Sequence, residues 1–214
     1  AVFLAPWSLW PKFKDQPPPS SGALWLLRWL LFRLMFESGC VKLLSGDKAW
    51  WDLTALYYHY ETQPLPTAIA WYAHRLPHWL QRFSVGIMFA IELASPFLIF
   101  MPRRPRLLAF AVLVSLQILI AVTGNYCFFN LLALSLCLLL IDDSVLKAAA
   151  PKSLRQRIIL PAPRPLSRPR QVFLAPLAGL VVLMSVLHFY GMFSGRALRL
   201  PGFAASAIST VEPL

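Results

Sequence analysis

The residues of this chain whose types and spacing suit chemistry are His59, Glu61, His74, His78 and Glu92. The first four lie in one stretch, WWDLTALYYHYETQPLPTAIAWYAHRLPH, and Glu92 stands apart in MFAIELASPF. His74 and His78 on an unbroken helix would share a face and could hold a zinc ion, with Glu61 as third ligand or as base. Pro77 argues against that pairing, because a proline disfavours helical geometry in the residue before it, here Leu76. Surface or hydrogen-bonding roles are therefore expected for these histidines, and no metal site is assigned. As acid–base groups, His59, Glu61, His74 and Glu92 are the catalytic candidates. No Gly-x-Ser-x-Gly, phosphate-binding glycine loop or zincin signature accompanies them, and no cofactor is implied.

The elements that must position these groups belong to a membrane protein. The chain is 58% hydrophobic and 14% charged, with mean hydropathy +0.60, too apolar for an ordinary soluble domain. Apolar runs at Leu24–Leu44, Phe83–Phe100, Leu107–Thr123, Tyr126–Ile141 and Val172–Phe193 approach the length needed to cross a core of about 30 Å. Residues 1–10 read as the end of a further span, closed by Lys12, Lys14 and Pro17–Pro19. The chain opens at Ala1 within an apolar stretch and stops after TVEPL, so it is expected to be an excerpt of a longer protein. The fold class expected is all-α: a polytopic transmembrane helical bundle with a short interfacial aromatic helical cap.

Charge gives the orientation. Lys and Arg collect in the loops 11–23, 101–106 and 142–171 and are absent from the turn at 124–125, so every second loop is basic, as the positive-inside rule expects. By alternation the cap, residues 45–82, and the chain from 194 to 214 face the lumen or periplasm. Residues 24–143 form the transmembrane core, 144–171 a basic Pro-rich cytoplasmic linker and 172–193 a further transmembrane helix. The net charge of +11 is thus divided among loops. It forms no continuous basic face, and nucleic acid is excluded as a partner. Cys40, Cys127 and Cys137 lie in or beside apolar runs without a Cys-x-x-Cys pair, which points to burial as small hydrophobes.

In the cap, Leu53, Leu56, Tyr57 and Tyr60 mark one short amphipathic helix, and Ile69, Tyr72, Ala73 and Leu76 a second. Between them Thr62–Thr67 forms an elbow stiffened by Pro64 and Pro66. Tyr58, Tyr60 and Trp71 are expected to pack the elbow onto the helix ends, while His59, Glu61 and Gln63 supply hydrogen bonds or client contacts. Within the spans, Arg33 and Glu37 are four apart and can neutralise each other, and Arg28 and Lys42 can snorkel. Glu92 has no cation one turn away and needs a partner from another helix, such as Arg33 or Gln117. Gln117 and Asn130 are expected to hydrogen-bond between helices.

The strings LRWLLFRLMFESGCVKL, GDKAWWDLTALYYHYETQPLPTAIAWYAHRLP and TGNYCFFNLL, closed by Asp142-Asp143, resemble the transmembrane core of the lipase maturation factor family. HYETQPLPT is the most specific of them. The resemblance covers residues 24–143, while 144–214 match in layout, and the large non-cytoplasmic domain that follows in the family is absent. It implies a membrane-resident folding factor whose partners are membrane lipids and secreted clients, lipases among them. Animal members sit in the endoplasmic reticulum membrane, and a bacterial member would sit in the inner membrane. The family carries no active-site motif to transfer. The alternative class is an integral-membrane enzyme that modifies a lipid or a protein side chain with the His and Glu residues above.

Overall fold

The structure is a computed structural model that describes residues 21–63, 66–124, 126, 128–149, 151 and 168–194. The chain divides into two compact units at 163/164. The described residues of the first unit are helical and turn segments without strands: α1 (Ser21–Leu44), α2 (Lys48–Trp51), α3 (Leu56–Thr62), α4 (Ala68–His74), α5 (His78–Leu98), α6 (Arg103–Thr123), α7 (Phe128–Cys137) with a 3-10 turn at Leu138–Leu140, and α8 (Asp143–Ala149). In the second unit a single helix, α9, runs Arg168–Ser194 around an internal Pro176. The expected span at 1–10 and most of the expected linker at 144–171 lie outside the described residues.

Four helices close a ring: α1 packs on α5, α5 on α6, α6 on α7, and α7 back on α1. Short connections make neighbours antiparallel, and the cap, α2 to α4, fills the gap between the end of α1 and the start of α5. The core is tight. Leu31, Val85, Leu113 and Cys137 are fully buried, and Gly39 lets α1 approach α5 so closely that an added Cβ would lie 2.7 Å from Leu93 Cδ2. Along α1, Trp29, Phe32 and Phe36 stack at 5.3–5.4 Å, one turn apart, and Phe97 meets the buried Phe32 edge-on at 5.3 Å.

Polar groups tie the two ends. Away from the cap, Arg28 donates to the Leu139 carbonyl at 3.0 Å, satisfying a helix-terminal acceptor. Arg103 meets Asp142 at 3.1 Å, and Arg106 also pairs with Asp142. Arg28, which the sequence allows to snorkel, thus caps a helix end. Asn130, in the first turn of α7, donates to the Gln117 side chain at 3.0 Å and to its carbonyl at 3.2 Å, as interhelical glue requires.

Of the described helices, only α6 is both long and apolar enough to cross a membrane by length and composition, with mean hydropathy 2.2. α1 has the length but carries Arg28, Arg33, Glu37 and Lys42, and α7 with its 3-10 extension is short. Large apolar side chains nevertheless face outward along the bundle, among them Phe97, Leu108, Ile118, Leu119 and Leu131.

Candidate functional site

The cap is built from local signals. Asp47 caps α2 by accepting from the Ala49 amide at 2.9 Å, after Gly46 has taken a left-handed turn at φ 74°. Leu53 follows at φ 57°, an uncommon backbone for a residue with a Cβ, so α3 starts only at Leu56. The expected stripe that began at Leu53 is therefore cut short. In α4 the buried face is Ala70 and Ala73, whereas Ile69 and Tyr72 point outward and Leu76 lies beyond the helix. Small residues allow α4 to sit close to its neighbours and leave the large apolar rings on the surface.

Two elbow residues fasten the cap to the end of α6. Gln63, buried, donates to the Thr123 carbonyl at 2.9 Å, and Thr67 donates to the Val122 carbonyl at 2.6 Å while accepting from the Ala70 amide as the N-cap of α4. Gly124 leaves room for this: a Cβ there would collide with Gln63 Oε1. At the start of α5, Gln81 is buried and its amide donates to the carbonyls of His74 at 2.7 Å, Leu76 at 3.1 Å and Ala73 at 3.3 Å. It serves the orphan carbonyls at the end of α4, a role signalled in sequence only by an uncharged polar residue four places after Pro77.

The histidines go to separate partners. His74 Nε2 lies 3.0 Å from Glu61 Oε1, linking α4 to α3. His78 opens α5, one loop away from His74, and stacks on Tyr57 at 4.3 Å, so the i, i+4 arrangement on a single helix does not form. His59 faces the turn before α7, its Nε2 3.3 Å from the Tyr126 hydroxyl with the rings parallel. Burial and the nearby Lys42 charge hold the His59 imidazole below its ordinary value. Burial raises the Tyr60 phenol above its ordinary value. No group of three His, Cys, Asp or Glu side chains among the described residues is placed to hold a metal ion.

Glu92 is buried, and its partner is Lys42: Nζ lies 2.6 Å from Oε2 and 2.7 Å from Oε1, with Ser38 also accepting from Nζ at 2.9 Å. Neither Arg33 nor Gln117 fills the role expected of them. Arg33 pairs with Glu37 at 2.7 Å on its own helix, as its spacing predicts. The Gln117 amide instead reaches Met35 Sδ at 3.5 Å. Lys42 is thus half of an interhelical ion pair and not a snorkelling side chain.

Of the four catalytic candidates, the fold joins only Glu61 and His74. They border an open cleft of about 820 Å³ between α3, α4 and the start of α5, together with Tyr60, Trp71, Arg75 and His78. Pro66 contributes the elbow wall. Pro64 lies outside the described residues, as does Cys127, while Cys40 and Cys137 are buried free thiols. Tyr58 is 62% exposed and Trp71 52%, so the elbow is held by Gln63 and Thr67 and not by these rings. Trp71 instead carries the Arg75 guanidinium over its face, 3.7 Å from the ring centroid. The cleft thus presents a carboxylate, an imidazole, a guanidinium and aromatic faces to the outside.

The described residues of the first unit thus form a helical bundle with outward apolar side chains, a buried interhelical ion pair, Lys42–Glu92, and an aromatic cap. Residues 1–148 match the family model described as the lipase maturation factor transmembrane domain, and the chain belongs to that family. Lipase maturation factor 2 of Gallus gallus is 56% identical over 146 residues, which cover 67% of this chain and 20% of the relative. Lipase maturation factor 2 of Homo sapiens is 46% identical over 201 residues, covering 90% of this chain and 28% of the relative. Lipase maturation factor 1 of Mus musculus is 35% identical over 217 residues, covering 94% and 38%. The chain spans well under half the length of these relatives. No solved structure matches it.

Proposed function

We propose that this chain is the membrane-embedded part of a maturation factor that helps secreted proteins, lipases by the names of its relatives, to reach their active form. The observation that carries the reading is the family match across residues 1–148. The outward apolar side chains of α5, α6 and α7 suit a lipid surround, and the charges of α1 are compatible with a span because Arg33–Glu37 and Lys42–Glu92 are neutralised in pairs. In this reading α1, α5, α6, α7 and α9 each cross the bilayer. Arg103, Arg104 and Arg106 mark the cytoplasmic end, and the cap lies on the lumenal face of the endoplasmic reticulum membrane. Clients are met there by the cap.

Single-cysteine labelling of the full-length protein tests the orientation: a probe at Thr67 is expected to react only after the lumenal side is opened, and one at Arg104 from the cytosol. Mild crosslinking and pulldown tests the client role, with secreted lipases expected among the captured partners and lost activity of those lipases on depletion. A Thr67 probe labelled solely from the cytosol, or normal lipase activity on depletion, would overturn the reading. The 3.0 Å Glu61–His74 contact favours a second reading, acid–base catalysis in the cleft. Under it, Glu61→Gln abolishes a chemical turnover while client capture survives.

A further inference from the structure

The cap cleft contains two charges of opposite sign that its own contacts leave available. Arg75 lies flat on Trp71 and forms no ion pair with a carboxylate among the described residues, so the edge of its guanidinium remains a two-pronged donor. Glu61 gives one oxygen to His74, yet its side chain is 67% exposed and keeps lone pairs facing outward. Tyr60, beside Glu61, also lines the cleft, and an aromatic ring of this kind attracts ammonium groups. Pro66, Ala68 and Leu76 give the rest of the wall its apolar surface, beside Thr67 and His78. Around it stand exposed Trp71, Tyr72 and Trp79, rings of the kind that settle at the headgroup level of a bilayer. The volume, about 820 Å³, falls within the span of small-molecule sites.

We propose that this cleft binds the headgroup of a zwitterionic phospholipid, with Arg75 on the phosphate and Glu61 and the Tyr60 ring on the ammonium. A purely anionic headgroup would satisfy Arg75 and meet repulsion at Glu61; a cationic amphiphile would meet the reverse. The glycerol backbone lies against Pro66 and Leu76, and the acyl chains continue into the bilayer. The proposal rests on the reading that the cap lies at a membrane surface.

The experiment uses the full-length protein in liposomes carrying photoactivatable phosphatidylcholine or phosphatidylglycerol with matched acyl chains, the reactive group near the headgroup. Mass spectrometry locates the labelled peptides. The phosphatidylcholine probe is expected to label residues 60–78, to be displaced by unlabelled phosphatidylcholine or phosphatidylethanolamine, and to fall about tenfold in Arg75→Gln and in Glu61→Gln. Labelling of α6 by an acyl-chain probe stays constant throughout. Arg75→Lys, which keeps the charge and loses the planar fork without touching the Glu61–His74 contact, is expected to weaken labelling by a smaller factor and guards against loosening of the cap. Equal labelling by the two headgroups, no change in the variants, or displacement by water-soluble glycerophosphocholine as effective as by lipid overturns the proposal. Absence of cap labelling by any lipid sinks the membrane placement itself, whereas headgroup-independent labelling leaves that placement standing and removes only the site.

Discussion

Lys42 Nζ and Glu92 Oε2 lie 2.6 Å apart across the interface of α1 and α5, fifty residues apart in sequence. Ser38 joins the pair, accepting from Lys42 Nζ at 2.9 Å and donating to Glu92 Oε1 at 3.3 Å, and Lys42 also approaches the Trp50 ring at 5.7 Å. The pair sits just below the cap and couples the register of the two helices to the position of α2.

Removing one partner leaves the other charge uncompensated in the bundle. Glu92→Leu is expected to destabilise the protein by about 3 kcal/mol, the lower end of the range for breaking a buried pair, because the Lys42 side chain retains 20% exposure. The double variant Lys42→Met with Glu92→Leu should recover most of the loss, to within about 1 kcal/mol of the parent. Thermal unfolding in detergent measures both. A single variant as stable as the parent would show that the pair holds nothing together.

Gly39 makes a graded test of the same interface. Its added Cβ would lie 2.7 Å from Leu93 Cδ2 and 3.2 Å from Glu92 Cβ. Leu93 Cδ2 is the end of a flexible side chain and can yield, while alanine gains about 1 kcal/mol in helix propensity over glycine. Gly39→Ala is therefore expected to stay within about 1 kcal/mol of the parent, and Gly39→Leu to lose about 3 kcal/mol through overpacking. Equal stability of the two variants would mean that α1 and α5 are not in close contact at this point.

The helices were legible because their apolar runs are long; Leu24–Leu44 became α1 and Leu107–Thr123 became most of α6. Arg33–Glu37 was legible as well, since a spacing of four fixes the contact before any tertiary structure exists. That Glu92 required a partner followed from the cost of a lone carboxylate in hydrocarbon, but which partner depended on the register of α1 against α5. No local pattern encodes that register. The cap was half legible: Pro77 already weighed against a continuous helix through His74 and His78, whereas the left-handed turn at Leu53 has no glycine to announce it. The cleft was invisible, because it exists only once Ala70 and Ala73 bring α4 against the bundle and turn Trp71 and Arg75 outward.

The His59 environment predicts a sign for the pH dependence of the cap. Its folded pKa lies below the ordinary 6.5, chiefly through burial and secondly through Lys42. In the window between that lowered value and 6.5 the unfolded chain binds a proton that the folded cap refuses, so stability rises with pH there. The contribution is fully present above 6.5 and is lost as pH falls towards the folded value. Melting temperature measured from pH 7 to pH 5 should therefore fall less steeply in His59→Gln than in the parent. An unchanged slope would mean that His59 is as accessible to protons folded as unfolded.

The attachment of the cap to α6 rests on Gln63 and Thr67, whose side chains donate to the Thr123 and Val122 carbonyls. Both acceptors belong to the last turn of α6, where carbonyls lack intrahelical donors, so each contact satisfies a group that would otherwise need water. Gln63→Leu and Thr67→Val keep side-chain bulk and remove the donors, and Thr67→Val also removes the N-cap of α4. Each loss is expected to cost about 1 kcal/mol locally, and the double variant about 2 kcal/mol, since the two sites share no partner. Amide exchange in α3 and α4 should then accelerate by about tenfold or more in the double variant, with exchange in α5 and α6 unchanged, because local opening of the cap leaves the helix packing intact. Gly124→Ala should reproduce the Gln63 effect, as its Cβ would occupy the place of Gln63 Oε1. If exchange rose equally in α5 and α6, the cap would be part of the same cooperative unit as the bundle; if it rose nowhere, Gln63 and Thr67 would not be what holds it.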